Sequence, residues 1–327
     1  MLFITGRDYS TNYFIRRLAF LLMAVLALNL FVTSFVAEGD ARKEVEISVP
    51  VSANSLPAFY LQENSDMNVE VLLHRKKNVV VTRLLKGEVD MALLATNEAA
   101  KLFNKDAGIR VVNVNTWGVF YLLTRDPEIS SWEDLSGKEM YLPKKGNPMD
   151  VIFSYVARAK GVDPTKELGI QRGRPRQMSK LMINGMVETA VLREPFVSRV
   201  MLEEPSVRIG LNLQSGWKSA TDMRLPQAVL AVKQDLAEEN PELVEKFNSQ
   251  YGEAINWVND NGEQAAEMAK KFMDTPFKVT KRSMPRINLI FARAREVKPE
   301  ITRYLELLME ANKKSIGGRV PGEKFYF

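Results

Sequence analysis

Residues Gly87–Arg125 read GEVDMALLATNEAAKLFNKDAGIRVVNVNTWGVFYLLTR, and the rest of the chain is arranged around them. Their order predicts a short buried strand over Val89–Leu94, a helix over Glu98–Asn104 and a long apolar strand over Val111–Thr124. Asn97 is predicted to cap the start of the helix. Because ligands of open α/β sheets lie beyond the carboxyl ends of strands, the loops after these strands are the first candidate sites.

The chain before this segment alternates in the same way. A strand over Val45–Val51 precedes a helix over Ala58–Asn64, and a strand over Met67–Leu73 precedes a helix over Asn78–Lys86. These spacings are typical of a parallel sheet that carries helices on its faces.

A second array follows Arg125 and extends to Leu213. Its predicted strands are Lys138–Leu142, Leu168–Gln171, Thr189–Leu192 and Val207–Leu213, and helices are predicted between them. From Gln227 the pattern becomes one strand, Ala228–Val232, followed mainly by amphipathic helices, with a loop predicted over Pro276–Met284. The sequence therefore predicts two successive α/β arrays and a helical return segment.

Composition excludes several kinds of site. The 327 residues include no cysteine and one histidine, His74, which we expect to be a polar residue at the surface or beside the hinge. Structural disulfides, thiolate metal sites, a cysteine nucleophile and lipid attachment through an N-terminal cysteine are therefore excluded, and no metal or cofactor is predicted. The net charge of +5 is spread along the chain without a basic block, which argues against a nucleic-acid partner.

The N-terminal region carries a targeting signal. Arg16 and Arg17 precede the apolar run Leu18–Ala37, and a polar, charged segment follows it. Residues 1–37 are typical of a secretory signal peptide, and the run is also long enough to serve as an uncleaved membrane anchor. Both alternatives place the folded part outside the cytoplasm, in the periplasm or at the outer face of the membrane.

Five blocks carry a resemblance to a known family. They are LKGEVDMALLATNEAAKLF, VNVNTWGVFYLLTR, WEDLSGKEMYLP, VARAKGVDP and ETAVLREPFVSRV. In this order, between about Val45 and about Trp257, they resemble the substrate-binding proteins of ABC importers. The most similar group includes the binding proteins for sulfonates, nitrate and thiamine-pyrimidine precursors.

The resemblance implies an α/β, two-lobed type II periplasmic-binding fold, with a mostly parallel sheet and flanking helices in each lobe. Lobe one is expected to comprise residues 45–124 and 227–327, and lobe two to be the inserted residues 125–226. Two chain crossings, near 124–125 and near 225–228, would form the hinge, and the ligand would bind between the lobes.

Two loops of lobe one offer candidate ligand contacts. Ser52, Asn54 and Ser55 follow the first strand, and Thr96 and Asn97 follow the strand of the central segment. Their alternative role is turn and capping chemistry. Since the resemblance covers both loops, we expect them to contact the ligand.

Trp117 and Gly118, within the predicted strand Val111–Thr124, are further candidates. Trp117 is either a core aromatic residue or a stacking wall for a flat or apolar ligand, and the glycine beside it permits a close approach. Trp217, which follows Gly216 near the second chain crossing, is another candidate.

Two loops of lobe two are further candidates. Lys144, Gly146 and Asn147 precede a helix that begins at Pro148, where free N–H groups and added lysine charge favour an anion. The alternative is a solvated basic turn. Glu194 follows the predicted strand TAVL, and its carboxylate either accepts a hydrogen bond from a ligand or pairs with a neighbouring arginine.

These features favour transport binding over catalysis. The expected function is the capture of a small anionic or nitrogen-containing molecule, its delivery to an ABC permease and ATPase, and its release unchanged by a monomeric protein. A ligand sensor needs the same cleft, so the residues leave that alternative open. An enzyme on this fold is disfavoured because pyrimidine-forming relatives use Cys and His clusters that this chain lacks.

Overall fold

The computed structural model describes residues 45–327, so the predicted signal peptide or anchor lies outside the described residues. The strands are β1 (Val45–Pro50), β2 (Val69–His74), β3 (Met91–Ala95), β4 (Ile109–Trp117), β5 (Phe120–Thr124), β6 (Glu139–Leu142), β7 (Gly169–Arg172), β8 (Thr189–Arg193), β9 (Arg208–Asn212), β10 (Pro226–Lys233) and β11 (Leu289–Arg293). They form two separate sheets.

Twelve α-helices are described in the same range. They are α1 (Leu56–Asn64), α2 (Lys77–Lys86), α3 (Thr96–Phe103), α4 (Pro148–Ala159), α5 (Pro175–Ile183), α6 (Phe196–Glu203), α7 (Leu213–Thr221), α8 (Gln234–Glu239), α9 (Pro241–Asp260), α10 (Gly262–Met273), α11 (Phe277–Ile287) and α12 (Lys298–Ala311). Each of them is too short or too polar to cross a bilayer.

The first sheet has six strands in the order β11-β4-β10-β3-β1-β2. The pairs β1–β2 and β1–β3 are parallel, as the βαβαβ pattern predicts. Strand β10 lies antiparallel between β3 and β4, and β11 is antiparallel to β4. The helical return segment therefore adds two strands to the sheet that the N-terminal array begins.

The second sheet has five strands in the order β7-β6-β8-β5-β9. Strand β6 is parallel to β7 and β8, whereas β5 is antiparallel to β8 and β9. Most strands of each sheet thus run in one direction, and the exceptions are β10 and β11 in the first sheet and β5 in the second.

The apolar run Val111–Thr124, predicted as one strand, forms two strands in different sheets. Gly118 and Val119 separate β4 from β5, with φ angles of 82° and 93°, and the Gly118 N–H donates to the Leu225 carbonyl at 2.8 Å. The chain therefore first passes from one sheet to the other at 118–119 rather than at the predicted 124–125. The second passage leads into β10 at Pro226, close to the predicted 225–228.

Two helices differ from the sequence prediction. The predicted loop over Pro276–Met284 is helix α11, whose residues Thr280, Ser283, Met284 and Ile287 are buried at helical spacing. The two prolines near its ends favoured a loop in the sequence. Helix α3 begins at Thr96 with Ala95 in the cap position, so the prediction that Asn97 caps this helix is wrong.

The helices cover both faces of the first sheet. Phe247, Tyr251 and Ile255 of α9 are buried against it, together with residues of β1 and β3. Full burial of each such side chain contributes roughly 1.5–3 kcal/mol to the free energy of unfolding. The aromatic stripe of this helix is therefore a packing face, as its spacing predicts.

Candidate ligand-binding site

A cavity of about 740 Å³ is lined by residues from the connections of both sheets. On the side of the first sheet it is bordered by the carboxyl ends of β1, β2 and β3, at Pro50, His74 and Ala95. On the side of the second sheet it is bordered by α5, α6 and the carboxyl end of β8, at Arg193. We call this space the central cavity. Its position agrees with the general location of ligand sites in open α/β sheets.

The cationic side chains of the central cavity fall into two groups. Lys77 lies 2.7 Å from a carboxylate oxygen of Glu98, and Arg199 lies 3.4 Å from one of Glu203. The second group has no ion-pair or side-chain hydrogen-bond partner among residues 45–327, and its members are Arg75, Arg176 and Arg193. The cavity therefore has an excess of uncompensated positive charge.

Arg193 is the most informative of these arginines. It ends the buried run Thr189–Leu192, and its own side chain is the first of β8 to reach solvent. The protein around it restricts its hydration, and this desolvation lowers the pKa of the guanidinium. Arginine remains protonated even so. A guanidinium that lines a cavity without a partner favours binding of an anion.

Glu194 is buried beside Arg193 but faces other groups. Its Oε1 accepts hydrogen bonds from Arg286 Nε at 2.6 Å and Ser198 Oγ at 2.9 Å, and its Oε2 accepts one from the Ser198 N–H at 3.1 Å. Burial raises the pKa of this carboxyl, and Arg286 opposes that shift. Its ion-pair partner is thus Arg286 rather than a neighbouring arginine, and its oxygens already have donors.

His74 lies at the end of β2, is buried and lines the central cavity, whereas the sequence predicted a polar residue at the surface or beside the hinge. Its Nδ1 is 3.1 Å from Ser48 Oγ, which also accepts a hydrogen bond from Arg83 at 3.2 Å. Burial and the nearby Arg83 lower the pKa of the imidazole to about 4. His74 is therefore neutral at physiological pH and adds no charge to the cavity.

The loop after β1 contributes two of its three candidates to the central cavity. Ser52 and Asn54 line it, and Asn54 Oδ1 has no hydrogen-bond partner within the described range. The Ser55 hydroxyl instead donates to the Pro50 carbonyl at 2.6 Å, which is turn chemistry.

The loop after β3 has a structural role at its two candidate residues. The Thr96 hydroxyl donates to the Pro226 carbonyl at 2.9 Å, and the Asn97 amide donates to the Ser315 carbonyl at 3.3 Å. Ala95 and Glu98, on either side of this pair, line the central cavity instead.

The two tryptophans are core residues. Trp117 is 1% exposed, its indole N–H donates to the Ile290 carbonyl at 2.8 Å, and the Arg224 guanidinium covers its ring at 3.9 Å. Trp217 is fully buried and packs against Tyr155. Neither side chain reaches the central cavity, so the structure does not support a stacking wall.

Gly118 has a role in the backbone conformation between β4 and β5. Its φ angle is 82°, and a Cβ atom placed on it would lie 2.8 Å from Gln214 Cβ. The close approach that glycine permits here is therefore to another part of the chain.

The hydrogen-bonding groups of the basic loop before α4 pair with the first turn of that helix. The Gly146 N–H donates to Asp150 Oδ2 at 2.8 Å, and Asn147 Oδ1 accepts from the Met149 N–H at 3.0 Å. Asp150 thus supplies the negative charge that the helix start favours. Gly146 lines a different cavity, of about 620 Å³ between α4 and α12, and Lys144 borders neither cavity.

Sequence reasoning did not single out Arg75, Arg176 and Arg193, which line the central cavity. A signal was present for Arg193, because it directly follows the buried run TAVL at the carboxyl end of a predicted strand. The sequence instead suggested it as an ion-pair partner of Glu194. Glu194 pairs instead with Arg286, which lies 92 residues later in the chain.

Comparison with known proteins finds a family model and a curated binding protein that are similar to this chain. The model of the NMT1-like family matches residues 58–273. A curated protein of Bacillus subtilis (strain 168), named "Putative binding protein YtlA", is 25% identical over 244 residues, which cover 72% of this chain and 71% of that protein.

Solved structures share the arrangement of the two sheets. An ABC transporter structure from Parabacteroides distasonis has a TM-score of 0.75 at 20% identity, over 86% of this chain and 98% of that one. The periplasmic aliphatic sulphonate binding protein SsuA from Escherichia coli has a TM-score of 0.67 at 16% identity, over 85% and 92% of the two chains. The fold is therefore that of periplasmic binding proteins.

Proposed function

This chain belongs to the NMT1-like family, and on that premise we propose that it is the extracytoplasmic solute-binding component of an ABC importer. Its ligand is a small organic anion held in the central cavity. No bond of the ligand is made or broken, and the loaded protein delivers it to a membrane permease. The N-terminal residues 1–37 export the folded part.

One observation carries the anionic character of the ligand. Arg193 is exposed at the carboxyl end of β8, lines the central cavity and has no partner within residues 45–327. Hydrogen bonds between ionised groups are about twice as strong as neutral ones, so an arginine whose donors are all free favours an anion. A ligand anion provides the compensating charge.

The size and apolar lining of the cavity favour an organic ligand. A volume of about 740 Å³ lies within the usual range for small-molecule sites and far exceeds that of an inorganic ion. Apolar side chains line it on both sides, including Leu93 of β3, Leu102 of α3 and Phe196 of α6. A carbon skeleton would bury these surfaces.

Capture between two lobes follows from the same geometry. We propose lobe one as residues 45–118 and 226–327, and lobe two as residues 119–225, which adjusts the sequence prediction to the observed sheets. Because the cavity draws on both lobes, closure about the passages at 118–119 and 225–226 would enclose the ligand. The named functions of the structural relatives support this proposal.

A thermal-shift screen of the full-length chain tests the function. The probes are alkanesulfonates, nitrate, carboxylates and, as neutral comparisons, pyrimidines. A ligand at 100 times its Kd stabilises the folded state by about 2.7 kcal/mol, so we expect organic anions to raise Tm and neutral probes to leave it unchanged.

Two variants make the screen specific. Arg193→Gln should abolish the anion-dependent shift in Tm, while Lys180→Gln, which removes an exposed charge of α5 outside the cavity, should retain it. Equal shifts in both variants, or stabilisation by neutral probes alone, would contradict an anionic ligand.

A further inference from the structure

The central cavity has more unpaired positive charge than one anionic group of a ligand would neutralise. Lys77 and Arg199 have carboxylate partners, and Glu194 is paired with Arg286. His74 is neutral. Three cations, Arg75, Arg176 and Arg193, are left without a partner within the described range.

These three cations come from different sheets. Arg75 follows β2 of the first sheet, whereas Arg176 lies in the first turn of α5 and Arg193 ends β8, both in the half of the chain that forms the second sheet. The uncompensated positive charge is thus divided between the two sides of one cavity. A ligand group that pairs with one side does not neutralise the other.

We infer that the ligand carries two separate anionic groups on one carbon skeleton, such as a dicarboxylate or disulfonate, and that Arg75 binds one group while Arg176 and Arg193 bind the other. This inference rests on the proposed function and refines its ligand class. It is supported by the distribution of the unpaired arginines and by the apolar side chains that share the cavity with them.

Electrostatics explain why a second anionic group matters. Charges interact more strongly where surrounding protein excludes water than in bulk solvent. A monoanion leaves at least one arginine uncompensated as the cavity closes around it, and desolvating that cation opposes closure. A dianion of suitable length compensates both sides and thereby links them.

Polar groups on the first-sheet side fit this arrangement. Ser52 and Asn54 line the cavity near the end of β1, and Arg75 lines it at the end of the adjacent strand β2. Hydroxyl and amide donors are commonly combined with arginine where a carboxylate or sulfonate is bound.

Matched ligand pairs test the inference by titration calorimetry on the full-length chain. The dianions are succinate, glutarate, adipate and 1,4-butanedisulfonate, and the matched monoanions are butyrate, pentanoate, hexanoate and 1-butanesulfonate. We expect at least one dianion to bind tenfold or more tightly than the monoanion with the same skeleton. The preference should shrink between 20 mM and 150 mM salt, since screening weakens exposed charge interactions.

Single substitutions locate the two groups. Arg75→Gln and Arg176→Gln should each reduce the preference for the dianion to less than threefold, with monoanion affinity largely kept. Lys180→Gln, on the same helix as Arg176 but outside the cavity, should preserve the preference. Circular dichroism and Tm of each unliganded variant verify that it is folded.

The outcomes separate this inference from the proposed function. Equal affinity for monoanions and dianions, or binding by none of the dianions, overturns the two-group ligand. If monoanions bind and require Arg193, the proposed function stands and only the two-group ligand is rejected. If only neutral compounds bind, both fail.

Discussion

Arg286 Nε lies 2.6 Å from Glu194 Oε1, and this ion pair joins helix α11 to the end of β8. The Glu194 side chain is 1% exposed and that of Arg286 is 21% exposed. Arg286 lies just before β11 of the first sheet, whereas Glu194 follows a strand of the second. The pair is therefore a connection between the two halves beside the central cavity.

We predict that Arg286→Met lowers the free energy of unfolding by about 3 kcal/mol, because it leaves the buried Glu194 carboxylate without its cation. Urea denaturation at pH 7 measures the loss. Removal of the cation raises the pKa of Glu194 further, so the folded state binds its proton more tightly and the variant should regain stability as pH falls.

Two comparisons make this prediction specific. The double variant Glu194→Gln, Arg286→Met should recover most of the lost stability, since no unpaired charge remains. Arg282→Met, on an exposed position of the same helix, should change stability by less than about 0.5 kcal/mol. A small effect of Arg286→Met would show that the pair adds little to folding.

Acid sensitivity is expected from His74. Its pKa is about 4 in the folded state and about 6.5 in an unfolded chain. Below pH 6.5 the unfolded state takes up the proton first, so stability is lost as pH falls and the loss levels off below pH 4. The full contribution is about 3 kcal/mol.

The His74→Gln variant isolates that contribution. The free energies of unfolding of the two proteins, measured by urea titration at intervals from pH 7.5 to pH 4, should differ by an amount that changes mainly between pH 6.5 and 4. A difference that stays constant over this range would mean that the imidazole titrates normally in the folded protein.

Gly118→Ala should destabilise the protein by about 1–3 kcal/mol, because an L side chain is strained at a φ of 82° and its Cβ would meet Gln214. Gly262→Ala is the matched control, as a Cβ there meets nothing within 4 Å. Thermal unfolding of both variants measures the effect, and equal Tm values would argue against a strained passage between the sheets.

Trp117→Ala should reduce stability by about 3–5 kcal/mol, the usual cost of removing a large buried aromatic side chain. Affinity per folded molecule should change little, because the ring lies outside the central cavity. Titration calorimetry at a temperature where the variant is folded measures both. A large loss of affinity with stability intact would restore Trp117 as a ligand wall.

The architecture was largely predictable from local sequence. Apolar runs bounded by glycine and proline placed most strands and helices, and Gly87 ends α2 in the left-handed conformation that such a position favours. The predicted loop over α11 was the main error, because its prolines obscured a helical spacing of buried residues. Local spacing also predicted one strand over Val111–Thr124, where the structure has two.

The candidate site was less predictable. Loops at strand ends were the predicted region of the site, and Ser52, Asn54 and Glu194 line the central cavity. Trp117, Gly118 and Trp217 were proposed from an aromatic residue beside a glycine, and the structure places both tryptophans in the packed interior.

By itself, the sequence determined the alternation of strands and helices, the absence of cysteine chemistry and the family resemblance, since these follow from residue identity and near-neighbour spacing. Only the tertiary structure decided which arginines are paired and which face the central cavity unpaired. Pairing depends on distances between side chains far apart along the chain, as for Glu194 and Arg286. Those distances are set by the packing of the two sheets and the helices around them.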